Sequence, residues 1–333
     1  MKVLLVLITL FVIPFFIFFK SDFPKSPLQV DSFAVPTRTP ITNISTPFTI
    51  ESLRKREYKK SSITIESKAY ETEVFTAHVI SYNSEGNKLY ALLSIPKKIT
   101  SNSPFLILNH GYVEQENYST IHSYRNPFDY FGNNGFIVLK PDYRANGESE
   151  GDKSDPLNRL SYPIDVLNLI TSLPSLSPKI VESGTRDIFM WSHSMGGDIS
   201  LKVLEVAGSK IKAASLWAPV SAPYPESMLY FLKQGRDPNY AKTKELVYKF
   251  FSAEDFIKLS PSKNTQFIKS NIIIHHGTDD ESVPYEWSVV LNKELSLSKI
   301  PHVFYTYKGE DHNFSRGAHA AVLKRDVDFF TSN

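Results

Sequence analysis

The spacing of hydrophobic positions changes character along the chain. Val3 to Phe19 is apolar throughout except for Thr9 and Pro14, with Lys2 and Lys20 at its ends. A buried amphipathic helix keeps a polar stripe, and the phenylalanines between Phe11 and Phe19 leave none. A secretory h-region needs about 7–15 apolar residues and a membrane span roughly 17–25, so the run sits where the two classes meet. No small-x-small cleavage site follows in Lys20-Ser21-Asp22-Phe23-Pro24-Lys25. Residues 1–20 therefore read as an uncleaved signal-anchor, a transmembrane segment, with a cleaved signal peptide and secretion as the alternative. Lys2 and the α-amino group, weighed against Lys20 and Lys25, put the N-terminus on the cytoplasmic side and the rest of the chain outside the cytoplasm. Residues 21–60 follow without a hydrophobic period. Pro24, Pro27, Pro36, Pro40 and Pro47 mark a Pro/Ser/Thr-rich linker, and Arg54, Lys55, Arg56, Lys59 and Lys60 read as a solvated basic face at its end.

From residue 61 to 333 the period settles. Ile63–Glu66, Glu73–Tyr82 and Lys88–Ile95 alternate as strands, and Ser84-Glu85-Gly86-Asn87 joins the last two in a hairpin. Short apolar strands come next, at Phe105–Asn109, Phe136–Leu139, Ile188–Trp191, Ala213–Leu216, Ile272–His275 and Val303–Tyr307. Helical spacing separates several of them, at Pro163–Leu173, Met195–Ala207 and Ala318–Phe330. Antiparallel strands followed by strand–helix alternation predict an α/β fold, with a mostly parallel sheet and helices on both faces. Residues 221–269 interrupt the rhythm with aromatic helical stretches. They are expected to form a helical cap over the C-terminal edge of the sheet, the edge at which open α/β sheets bind ligands.

Composition narrows the chemistry. The 333 residues contain no cysteine, which excludes disulfides, thiolate nucleophiles and iron–sulfur clusters. A net charge of +2 gives no basis for a nucleic-acid partner. No cofactor or metal is called for. Adjacent residues on a strand point to opposite faces, so His275 and His276 are not expected to share an ion.

Four loops at predicted strand ends hold the reactive side chains. Ser192-His193-Ser194-Met195-Gly196-Gly197 lies between a strand and a helix, the context of a nucleophile elbow, in which a sharp turn lifts a hydroxyl above the sheet. Ser194 is the candidate nucleophile, and the backbone N–H of Met195 would face a developing oxyanion. Asn109-His110-Gly111-Tyr112 is placed to give the second oxyanion contact, through the backbone or the phenol of Tyr112. His276 to Pro284 contains Asp279 and Asp280, either of which would hold an imidazole in the required tautomer. Gly309 to Phe314 contains His312, the candidate general base.

With these residues in the order serine, aspartate, histidine, the segment from about Lys88 to Phe330 resembles an α/β-hydrolase. It is most similar to the catalytic domain of the prolyl oligopeptidase family. The matching residues are His110-Gly111-Tyr112, Asp142-Tyr143-Arg144 with Gly147 and Ser149, Ser192 to Gly197, His276 to Pro284, and Asp311-His312. In that family the aspartate stands three residues before the valine, which selects Asp280 and implies a triad of Ser194, Asp280 and His312. The resemblance also implies an oxyanion contact from Tyr112 and a structural role for Arg144. Ser192 stands where glycine is usual, and the chain before the catalytic strands is too short for a β-propeller.

The expected protein is a membrane-anchored serine hydrolase that cleaves small peptides through an acyl-enzyme. A carboxylesterase for small acyl or aryl esters is the alternative, and a non-catalytic binding module on the same fold is a third class. Tyr224, Tyr230, Phe231, Tyr240, Tyr248, Phe250 and Phe251 either line an acyl or side-chain pocket or pack the cap onto the body, the commoner use of such residues.

Overall fold

The computed structural model describes residues 46–100, 103–114, 117–153, 155, 158–176, 187–235 and 239–333. The signal-anchor expected over residues 1–20 and the linker as far as residue 45 lie outside them. Among the described residues no helix is long and apolar enough to cross a membrane.

The linker expected over 21–60 ends sooner than its composition suggested. Helix α1 (Ile50–Lys55) is capped by Thr49, whose hydroxyl accepts from the Ser52 N–H. Ile50 and Leu53 are fully buried and pack with Ile164. The basic residues beside them are engaged too. Arg54 Nη1 donates to the Glu205 carbonyl, and Arg56 pairs with Glu85. Two apolar residues three apart are too short a pattern to distinguish a docked turn from a coil.

Nine strands form one sheet in the order β1-β2-β3-β5-β4-β6-β7-β8-β9. They are β1 (Thr64–Glu71), β2 (Phe75–Ser84), β3 (Asn87–Pro96), β4 (Phe105–Asn109), β5 (Ile137–Pro141), β6 (Ile188–His193), β7 (Ala213–Trp217), β8 (Asn271–Gly277) and β9 (His302–Tyr307). The first three and their junction with β5 are antiparallel, and every other pairing is parallel. In the β2–β3 hairpin Ser84 pairs with Asn87. Glu85 and Gly86 both take positive φ, 53° and 88°, the conformation of a two-residue primed turn.

The central strands are buried on both faces, so their side chains divide between two cores by alternation. Ile107, Leu139 and Met190 face one core; Leu106, Leu108, Val138, Phe189 and Trp191 face the other. Helices α3 (Asn158–Ser172), α4 (Met195–Ala207) and α8 (Tyr285–Leu297) cover the first face. Helices α2 (Arg125–Asn133) and α9 (His319–Ser332) cover the second. Arg144 is structural, as expected: it pairs with buried Asp165 at 2.6 Å and with Glu85 at 2.8 Å.

The insertion between β7 and β8 is helical. It holds α5 (Glu226–Gln234), α6 (Tyr240–Phe250) and α7 (Ala253–Leu259), the last opened by a capping box between Ser252 and Asp255. Most of its aromatic residues do pack the cap. Tyr224, Phe251 and Phe256 form a small core with Tyr248 and Phe250 against it, and Tyr230 and Phe231 pack on Trp287.

Candidate active site

Parallel strands end on one side of the sheet, and the loops that leave them there gather the reactive residues. Ser194 occupies the single step between β6 and α4, with φ 56° and ψ −121°. That conformation is costly for a side chain with a Cβ and persists only where the surroundings impose it. Here the Ser194 N–H donates to the Trp217 carbonyl at 2.9 Å, and its own carbonyl accepts from Gly197 and Val220 at 2.8 and 2.9 Å. The turn has no room beside it. A Cβ on Gly196 would lie 2.0 Å from the Asn109 carbonyl oxygen, and one on Gly197 would lie 2.4 Å from Pro219 Cβ. Ser192 fits at the position where glycine is usual, fully buried with its hydroxyl toward the Ser215 carbonyl at 3.4 Å.

The Met195 N–H is the first of α4, among the N–H groups that a helix leaves without an intrahelical acceptor. Tyr112 is 64% exposed and lines a cleft together with Ser194 and Met195. The cleft holds about 660 Å³, and Met228, Phe231 and Leu232 of α5 close it from the insertion side. Of the cap aromatics, Phe231 is the one that reaches this cleft.

Asp280 and His312 come together from the loops after β8 and β9, with His312 Nδ1 2.8 Å from Asp280 Oδ2. The other carboxylate oxygen accepts from the backbone N–H groups of Ser282 and Val283, both at 2.8 Å. Burial works against the Asp280 anion. Hydrogen bonds from His276 and His312, with the nearby imidazole charge and the Val283 N–H, overcome it and hold the carboxyl well below its usual range. Asp279, by contrast, faces solvent and pairs with Arg316 at 3.2 Å.

Two further histidines support the pair. His276 Nε2 lies 3.0 Å from Asp280 Oδ2 and 3.1 Å from the Val283 carbonyl. Both partners are acceptors, so Nε2 carries the proton and Nδ1 accepts from the Ser288 hydroxyl at 2.7 Å. His193 Nε2 donates to the His312 carbonyl at 3.1 Å, and its Nδ1 accepts from the Tyr124 hydroxyl at 2.7 Å. Its ring lies 4.4 Å from that of His312. Burial, then the neighbouring His312 charge, push its pKa down to about 3, so it stays neutral. His193 thereby ties the histidine loop to the residue preceding Ser194. Sequence reasoning assigns neither histidine a part in the triad, although their place within the motifs is the available signal. His275, on the opposite face, is 2.9 Å from Asp326 and 2.8 Å from the Tyr307 hydroxyl.

Parts of the chain are similar to known proteins. The family described as "Serine aminopeptidase, S33" (Hydrolase_4) matches residues 101–252. Human Protein ABHD12B is 29% identical over 158 residues, a match spanning 46% of this chain and 40% of that protein's length. Among solved structures, acetyl xylan esterase 1 from Thermoanaerobacterium superposes with a TM-score of 0.63 at 15% identity, covering 87% of this chain and 94% of that one. An acylaminoacyl peptidase from Pyrococcus horikoshii does so with a TM-score of 0.61 at 18% identity, covering 78% of this chain and 42% of that one. At these identities the likeness to solved structures is one of fold.

Proposed function

We propose that the chain is a serine hydrolase of the α/β-hydrolase superfamily, in which Ser194, His312 and Asp280 form the catalytic triad and cleave small peptides through an acyl-enzyme. The observation that carries this reading is the conjunction of a strained serine at the β6–α4 turn with a buried, doubly anchored Asp280–His312 pair. Ser194 Oγ attacks the scissile carbonyl while His312 accepts its proton. Asp280 fixes the imidazole with Nδ1–H toward the carboxylate, leaving Nε2 as the base, and stabilises the imidazolium once formed. The Met195 N–H and Tyr112 hold the oxyanion of the tetrahedral intermediate. His312 then returns the proton to the leaving amine; in the second half it takes a proton from water, which attacks the acyl carbonyl, and passes it to Ser194 Oγ as the acyl–Oγ bond breaks.

Peptide cleavage follows the serine aminopeptidase match. A second reading, a carboxylesterase, is supported by coverage: the acetyl xylan esterase corresponds to this chain over 94% of its length, whereas the acylaminoacyl peptidase does so over 42%. The apolar N-terminal run would tether the enzyme to a membrane with the catalytic domain outside the cytoplasm. Alkaline carbonate extraction, with protease protection, tests that placement.

Fluorophosphonate labelling of the parent and of Ser194→Ala tests the chemistry. Labelling of the parent alone supports an activated Ser194. A folded parent that takes no label would overturn the triad and favour a binding module on this fold. Turnover of dipeptide amides against p-nitrophenyl esters then decides between peptidase and esterase.

A further inference from the structure

Below the cleft lies a group of ionisable residues that the triad does not use. Asp198 projects from α4, four residues after Ser194, and is buried. Its Oδ2 accepts from Lys202 Nζ at 3.2 Å and from the Tyr224 hydroxyl at 3.0 Å, and stands 3.5 Å from Arg159 Nε. Lys202 also donates to Tyr224. Glu205, one turn further along, is buried with both carboxylate oxygens unpartnered. Burial drives its pKa well above the usual carboxylate range although Lys202 opposes the shift. Asp198 thus faces two basic side chains, Lys202 and Arg159.

Lys202 is sealed inside, with its side chain 1% exposed, but Arg159 is not. Arg159 sits at the start of α3 and lines the cleft that holds Ser194. Its Nε and Nη2 are buried without a hydrogen bond. The Arg159 side chain nonetheless keeps 18% of its surface accessible. A guanidinium has five N–H donors, and leaving buried ones unmet is costly. The other charged residues of the cleft, Glu114, Lys153 and Asp155, are exposed, where water screens them. Among the described residues that line this cleft, Arg159 is the charged one held largely away from water.

The geometry points to Arg159 as the residue that binds a carboxylate of the substrate. Resting on the serine hydrolase reading, this makes the preferred substrate a small peptide or ester with a free carboxylate near its scissile bond. A guanidinium suits a carboxylate, to which it donates a charge-assisted hydrogen bond. Asp198 holds the guanidinium from behind, and because it belongs to the nucleophile's own helix, it keeps Arg159 in register with Ser194.

The test compares acid and neutral substrates of matched shape. On the acyl side p-nitrophenyl hemiglutarate is set against p-nitrophenyl butyrate, and on the leaving-group side 4-butyryloxybenzoate against its methyl ester. The parent should favour the acid member of at least one pair. Arg159→Met should lower that ratio of kcat/KM about 10- to 100-fold, the range for a charge-assisted hydrogen bond, and Arg159→Lys should restore part of it. A purely structural role for Arg159 would lower both members together and leave the ratio unchanged. Binding of monomethyl glutarate by calorimetry, with dimethyl glutarate as the neutral control, reads the same contact without turnover. No acid preference in the parent and no difference between the two glutarates would overturn the assignment. Fluorophosphonate labelling on the same samples distinguishes this failure from failure of the triad.

Discussion

The turn that presents Ser194 and the helical insertion that closes over it are built on opposite principles. Around Ser194 the backbone is pinned by three main-chain hydrogen bonds, and its glycines abut other backbone at distances no side chain could share. In the insertion, α6 buries only Val247 and α5 only Ser227 and Leu229. Its aromatic residues pack mainly among themselves or on Trp287. The region that would do the chemistry is fixed by steric exclusion. The region that would choose the substrate is held by a few apolar contacts and can change without disturbing the elbow.

Several substitutions would break or sharpen that contrast. The largest effect is expected at the proposed nucleophile: Ser194→Ala should lower kcat by about 10⁴-fold or more and abolish fluorophosphonate labelling, with thermal stability nearly unchanged. Asp280→Asn should cost a comparable factor, about 10³–10⁴ in kcat, because the imidazole loses its anionic partner and its tautomer.

Gly196→Ala attacks the same turn through its packing. A methyl 2.0 Å from the Asn109 carbonyl oxygen forces backbone apart, and a destabilisation of about 3 kcal/mol or more is expected in chemical denaturation. Unchanged stability would show that the elbow relaxes more readily than its contacts suggest.

A pH series reads the Asp280 environment. Its folded pKa is depressed below that of the unfolded chain, so the anion's contribution to stability is complete above about pH 4 and is lost as the pH falls further. Asp280→Asn lacks this contribution, so the stability gap between parent and variant should narrow from pH 5 to pH 3. A gap of constant size would remove the depressed carboxylate from the account.

The smallest effect is expected in the insertion. Phe231→Ala should change KM for apolar substrates about three- to tenfold while labelling of Ser194 persists. If it silenced labelling as well, the cap and the elbow would be one mechanical unit and the contrast between them would fall.

How much of this was legible in advance follows the same division. Strand β4 and helix α4 lie where periodicity placed them, because a short apolar run or a helical stripe is a local property. Helix α1 was hidden, since Ile50 and Leu53 gain meaning only from Ile164, more than a hundred residues away. Helix α2 was missed as well; Phe128 and Phe131 face a core completed by Phe330 at the far end of the chain. Asp280 was identified through spacing and resemblance, but its second histidine was not. His276 reads as the first residue of the loop that follows an apolar strand, and only the bend of that loop brings Asp280 back over it.

By itself, then, the sequence determined the alternation of strands and helices, the small residues around Ser194 and the order of the reactive loops. These are consequences of local sterics and period, which neighbouring residues are enough to express. Tertiary structure alone decided that His276 and His193 buttress the pair, that α1 docks, and that Arg159 enters the cleft beside Ser194. Those relations depend on distances between residues far apart in the chain, and such distances exist only once the sheet has brought its strand ends together.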